Sequence, residues 1–292
     1  MSIRTDPLEK APSFADRVYY ATGVLLDAHD FGAEQLYHRN RLARALAYLH
    51  GSGTVAGLKV VWESPLDPGD DPDFPQGREE RIVVQSGIAV DRLGRIIEVP
   101  RCACLRLAQW YEGQEVDDLR TGWHGAPFSG VVADVFVRFV TCERGKTPAF
   151  AAGPFDALDA VTPSRLRDSY ELTLVVRKEA APPLPQSPWP DLAAIASADG
   201  EEAAHAALHE AVFGAWREGT DWWNLDGPVP LPEHTSGQDT TAVFLARLVV
   251  PATQGATDED PPERTPGEAV QVDNDSRAFV YTANALARWL GL

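Results

Sequence analysis

The stretch from Asp27 to Val61 constrains this chain more than any other. It reads as a capped helix, a glycine break and a strand. Asp27 is a good N-cap, because its carboxylate can accept the free backbone N–H groups of a first helical turn. Asp30 adds negative charge at the positive end of the helix dipole. From Phe31 to His50 there is no proline and a single glycine, Gly32. Gly51 and Gly53 then supply the positive φ values that end a helix. The pattern predicts a helix of about six turns, roughly 33 Å long at ~1.5 Å rise per residue. Thr54–Val61 is β-rich and predicts one strand.

One face of that helix carries Phe31, Gln35, His38, Leu42, Ala45, Leu46 and Leu49 at helical spacing. Its C-terminal half is expected to be core, whereas Gln35 and His38 put polar groups in line with the leucines. A second stripe, Tyr37, Arg41, Arg44 and Tyr48, alternates aromatic and cationic groups. Polar and aromatic edges beside an apolar seam suit docking, so Gln35, Tyr37, His38, Arg41, Arg44 and Tyr48 are the candidate interface residues. The plainer alternative is a surface helix with snorkelling arginines and one hydrogen-bonded histidine.

Composition narrows the classes of function. A chain of 292 residues buries ~75% of the surface its unfolded form exposes, so a stable core is available. Hydrophobic residues at 44% and charged residues at 24% are ordinary globular values and exclude a disordered chain. A formal net charge of −17 argues against nucleic-acid binding, because phosphate repels such a surface. No apolar core of signal-peptide length opens the sequence, and no run of ~18 apolar residues occurs. The expectation is a cytoplasmic protein without membrane insertion. Cys102, Cys104 and Cys142 are an odd number and favour free thiols in a reducing compartment.

Along the chain, residues 63–80 are rich in Pro, Asp and Gly and predict an exposed loop. Residues 81–90 predict one strand, Asp91–Gly94 a tight turn, and Ile96–Pro100 the return strand. Cys102–Tyr111 reads as a strand end and a short helix, and residues 113–129 as loop. Residues 130–140 are the strongest strand pattern, and 171–177 another. A proline-rich run from Ala181 to Pro190 cannot be helix or central strand. Asp191–Gly219 then reads as two helices parted at Asp199–Gly200. Further strands are predicted at 240–250, 270–272 and 278–281, with a helix at 284–290. Strands do not alternate regularly with helices. That argues for an α+β fold: a long N-terminal helix on a largely antiparallel β-sheet or sandwich, with an inserted α-helical module. The expected organisation is residues 1–178 as the helix and β domain, 179–238 as the insert, and 239–292 as strands completing the main domain.

Catalytic patterns are thin. There is no Gly-x-Ser-x-Gly, no phosphate-binding loop and no Gly-x-Gly-x-x-Gly. His205 and His209, with Glu210 beside them, have the i, i+4 spacing that can place two imidazoles on one metal. Glu201, Glu202 and His234 could add ligands, but an alanine-rich helix with a polar wet face explains the same letters. Cys102-Ala103-Cys104 with Cys142 and either His124 or His50 could hold zinc. In a strand, however, both sulfurs of a C-x-C share one face, where free cysteine behaves as a small hydrophobe. Trp189, Trp216, Trp222 and Trp223 could form an aromatic platform for a glycan or peptide, though internal packing of a helical module accounts for them as well. The acidic loops Asp67–Asp73 and Asp258–Asp260 lack EF-hand spacing and are expected not to bind calcium. No cofactor is expected.

Several segments together resemble an uncharacterised family associated with bacterial contractile injection systems. The aromatic-x-x-Gly-x-x-Leu lead-in at Tyr20–Leu26, Glu34-Gln35 with His38, and His50-Gly-x-Gly-x-Val-x-Gly-Leu-x-Val60 occur in the family's order. The Gly87-x-Ala-x-Asp-x-x-Gly-Arg95 hairpin follows, and Ser164–Leu172 and Val272–Arg277 are similar to later landmarks. The likeness touches most of 19–176 and 239–292, leaves 179–238 without a counterpart, and carries no catalytic residues. It implies a structural component of a phage-tail-like particle, similar to baseplate-facing N-terminal domains of tail fibres. Such a protein is not an enzyme; its partners are other subunits of an oligomeric particle, cytosolic or released. The alternatives are a metal-dependent enzyme at His205 and His209, or a ligand-binding module.

Overall fold

The computed structural model describes residues 3–9, 16–125, 129–148, 161–221, 229–257 and 260–291. A short strand β1 (Ile3–Arg4) and a 3-10 turn (Pro7–Glu9) precede the helix α1 (Ala28–His50). Six strands follow: β2 (Gly53–Gly57), β3 (Val60–Glu63), β4 (Arg81–Val84), β5 (Gly87–Val90), β6 (Ile96–Val99) and β7 (Ala103–Arg106). Helices α2 (Leu107–Glu112) and α3 (Val116–Thr121) lead to β8 (Trp123–His124) and the long β9 (Gly130–Arg144). Then come β10 (Thr147–Pro148), β11 (Val161–Thr162) and β12 (Arg165–Val176). Helices α4 (Leu192–Asp199) and α5 (Glu201–Asp221) precede β13 (Val243–Thr253), β14 (Glu263–Arg264), β15 (Gln271–Asp273) and α6 (Ala283–Trp289). The fold is α+β, and every pairing between these strands is antiparallel.

β9 is the spine of the large sheet. β12 runs along one edge, pairing Arg165 with Arg144 and Val176 with Ala133. β13 runs along the other, from Val243 opposite Val137 to Pro251 opposite Gly130, with an irregularity at Phe244–Ala246. Alternation along β9 sends Val131, Ala133, Val135, Val137 and Phe139 to one face. There they meet Leu58, Val60, Ile82, Val84, Ile97 and Val99 in the main core. The core is therefore the space between the large sheet and the strands β2–β7.

Those six strands form two three-stranded sheets, β2-β5-β6 and β3-β4-β7. Sequence predicts one strand over 54–61 and one over 81–90, and the structure breaks both at matching places. Leu58 is fully buried with φ 55°, and its N–H donates to Ser86 O at 3.2 Å. A Cβ at Gly57 would lie 2.1 Å from Ser86 O. The ribbon therefore kinks where two backbones approach closely, and each half enters a different sheet. Two further expectations are corrected: residues 113–129 contain α3 and β8, and 278–281 is no strand but a single bridge, Phe279 to Thr54.

The opposite face of β9 is also covered. Phe136 packs with Ala242, Phe244, Val175 and Leu184. Beside it Asp134, fully buried, accepts from Arg247 Nε and Nη2 at 2.8 and 2.9 Å and from Arg177 Nη1 at 2.8 Å. The two arginines also donate to Pro182 O at 2.7 Å, Pro183 O at 2.9 Å and Glu233 O at 2.5 Å. One buried carboxylate thus anchors both ends of the 179–238 segment. Between those ends, α4 and α5 pack chiefly against each other.

Candidate functional site

α1 starts as its sequence dictates. The Asp27 carboxylate accepts from His29 N and Asp30 N at 2.7 and 3.1 Å, and Asp30 Oδ2 accepts from Asp27 N at 3.0 Å. This reciprocal box fixes the first turn. His50 is the last helical residue and Gly51 the C-cap.

The face by which α1 is attached is not the one its hydrophobic pattern selects. Its buried residues are Asn40 and Ala43, flanked by half-buried Leu36 and Ala47. Ala43 packs with Leu8 and Leu93. The tight turn of the β5–β6 hairpin presses against it so closely that a Cβ at Gly94 would lie 1.8 Å from Ala43 O. Asp91 shapes that turn by accepting from Leu93 N and Arg95 N, each at 2.9 Å. Arg95 bonds Asp91 at 2.7 Å, Thr241 Oγ1 at 2.9 Å, and Glu9. Burial pushes the Asp91 carboxyl above its ordinary pKa, against the pull of Arg95. Burial also works against charge on Arg95, yet Asp91 and Glu9 more than offset it and raise its pKa. Arg39 adds a 2.5 Å ion pair to the buried Asp6. Small residues, backbone and ion pairs hold the helix down.

The predicted apolar stripe faces outward instead. Phe31, Leu42 and Leu49 are 53%, 57% and 75% exposed, Gln35, His38 and Ala45 are exposed, and only Leu46 is half-buried. The expectation that the C-terminal half of this stripe is core is therefore wrong. At ~100° per residue the stripe lies roughly opposite the buried Asn40 and Ala43, and Ala43 takes the contact with the β5–β6 turn. His38, exposed and 3.6 Å from Glu34, does not fix the helix to the sheet either. The second stripe is self-organised: Arg41 lies over the Tyr37 ring at 5.3 Å, and Arg44 over Tyr48 at 5.9 Å. Tyr37 meets the His38 ring edge-on at 5.4 Å.

Exposed apolar groups continue beyond the helix. Before α1, Tyr19, Tyr20, Val24 and Leu25 are exposed, Leu25 by 95%. Near its other end, Thr54 N donates to Ala278 O and Val280 N donates to Thr54 O, both at 2.9 Å. This brings an exposed aromatic cluster of Phe279, Tyr281 and Trp289, with ring separations of 6.0 and 6.1 Å, next to the segment that leaves α1. No periodicity announces that cluster in the sequence. Burying one Leu or Phe side chain is worth about 1.5–3 kcal/mol, so covering such a surface can offset much of the cost of association.

The other candidate groups are scattered. His205, His209 and Glu210 are exposed on α5. Among the described residues the one group with metal-binding proximity is Asp27, His29 and Asp30, whose carboxylates are committed to the helix cap. Cys102 and Cys104 are exposed rather than packed as small hydrophobes, and Cys142 is buried in β9. Trp189 is half exposed; the Trp216 side chain, Trp222, Trp223 and Asp258 lie outside the described residues. A cleft of about 390 Å³ is lined by Asp117, Arg120, Trp123 and Asp260. Its carboxylates bond locally, Asp117 to Arg120 at 3.1 Å and Asp260 to Thr257 Oγ1 at 2.8 Å. No helix among the described residues is long and apolar enough to cross a membrane. No protein-family model matches the chain, and no curated protein is similar to it in sequence.

Proposed function

We propose that the chain is a structural subunit that works by packing against neighbouring proteins through the outward face of α1. The carrying observation is that Phe31, Leu42 and Leu49 line up on the solvent side of a capped helix whose other side is held by Ala43, Gly94 and buried ion pairs. A stripe that, apart from half-buried Leu46, lies outside the monomer's core is explained by a partner that covers it. The polar and aromatic edges at Gln35, Tyr37, His38, Arg41, Arg44 and Tyr48 then frame the contact.

The kind of assembly rests on the resemblance in sequence order described above. It points to a phage-tail-like contractile particle, with this chain at the baseplate or the attachment of a tail fibre. The motif residues themselves have architectural work: Gly57 and Gly87 permit the ribbon kink, and Asp91, Gly94 and Arg95 build the turn that seats α1. On this reading the chain is not an enzyme and needs no cofactor. Mass spectrometry of purified particles tests it, with the chain expected at stoichiometric level beside sheath and tube proteins. Particles that assemble fully without it would overturn the reading.

A further inference from the structure

The outward face of α1 has a charge order as well as an apolar seam. Along the cap and helix, acidic Asp27, Asp30 and Glu34 precede basic Arg39, Arg41 and Arg44, of which Arg44 is half-buried over the Tyr48 ring. The cap uses Asp27 and Asp30, and Asp6 uses Arg39. Glu34 and Arg41 remain beside the apolar stripe. Glu34 is half-buried: its Oε2 is enclosed and unbonded among the described residues, and its Oε1, 3.6 Å from the exposed His38, is the oxygen a partner can reach. Arg41 is exposed and rests on the Tyr37 ring.

These two residues lie at equal distances on either side of a point between Tyr37 and His38. An antiparallel copy of the same helix, related by a twofold axis through that point, therefore sets Glu34 of each chain against Arg41 of the other. The same axis drops Phe31 between the other copy's Leu42 and Ala45. It also brings Leu49 level with the start of the other copy's α1, where the exposed Leu25 precedes the Asp27 cap. A parallel arrangement would place Glu34 and Arg41 of the two copies on opposite sides of the seam, so no such pair forms. Antiparallel helices with apolar seams pack in this way with ridges of one in grooves of the other, and a twofold interface requires such self-complementarity.

We propose that the partner covering this face is a second copy of the same chain, joined through antiparallel α1 helices with reciprocal Glu34–Arg41 pairs. This deepens the assembly reading by naming the neighbour, and it is tested separately from it. Sedimentation equilibrium of the full chain at tens of micromolar is expected to give a dimer. Glu34→Arg alone and Arg41→Glu alone each oppose like charges twice, and each is expected to weaken dimerisation at least tenfold. Mixing the two variants restores both opposite-charge pairs, so an equimolar mixture is expected to form a heterodimer as tight as the wild-type dimer. Circular dichroism of each variant confirms that the fold is kept. A wild-type chain that stays monomeric, or variants that fail to complement on mixing, would overturn the proposal. A monomeric chain still present in purified particles would refute self-pairing and leave the assembly role intact. A dimer absent from every particle would do the reverse.

Discussion

Arg247 grips Asp134 with two parallel hydrogen bonds, Nε to Oδ1 at 2.8 Å and Nη2 to Oδ2 at 2.9 Å, although 113 positions separate them in sequence. The contact crosses from β13 to β9 in the middle of the large sheet. Arg177, wholly buried, bonds the same carboxylate. A charge placed there is tolerable because every polar arm ends on a partner.

Removing the shared carboxylate leaves two guanidiniums facing each other. Asp134→Ala is expected to cost about 3–5 kcal/mol, the range for breaking a buried ion pair by deleting one partner. Chemical denaturation measures it. A loss below about 1 kcal/mol would show that water or Glu179 replaces the missing charge.

The two faces of α1 make opposite predictions for adjacent residues. Leu42→Ala is expected to change the stability of the monomer, measured at concentrations too low for association, by less than about 0.5 kcal/mol, as at a surface site. Truncating a core leucine instead costs about 2–5 kcal/mol. Ala43→Leu, one residue on, is expected to destabilise by about 1–3 kcal/mol through overpacking against the hairpin turn. Thermal unfolding of the two variants side by side decides between the faces.

Gly94 has φ 82° and no room for a Cβ against Ala43 O. Gly94→Ala is expected to lower stability by at least about 2 kcal/mol, since backbone strain and a backbone clash act together. Hydrogen exchange is expected to show earlier opening of α1 than of β9 in this variant.

His234 gives the chain an acid-sensitive latch. Its Nδ1 accepts from Leu231 N at 3.1 Å and its Nε2 lies 2.9 Å from Ala242 O, an arrangement that the neutral ring satisfies at both nitrogens. Burial lowers its pKa below the ordinary 6.5. Between the folded and unfolded values the unfolded chain takes up a proton that the folded chain refuses. Stability is therefore full above about pH 6.5 and falls as pH drops below it. His234→Gln is expected to reduce the steepness of that fall in denaturation midpoints measured from pH 7.5 to 5.

Local chemistry alone determined much of this protein. Asp27, Asp30 and Gly51 set both ends of α1, because capping involves groups within a few residues of each other. The alternation of Val131, Ala133, Val135 and Val137 made β9 a strand with a buried face, and the proline-rich run after Glu179 excluded regular structure there. The α+β class followed from the order of such segments. Tertiary structure decided which face of α1 is covered. Periodicity identifies an apolar stripe but carries no information about what lies opposite it. The stripe Phe31–Leu49 matched a core helix, yet a glycine turn needs a small residue to approach, so Ala43 took the contact. The kinks at Leu58 and Ser86 were hidden for the same reason, because each depends on a backbone almost thirty positions away. The shared charge at Asp134 belongs with them: nothing around that residue in the sequence names Arg177 or Arg247 as its partners. Only folding the strands beside one another creates the site that binds them.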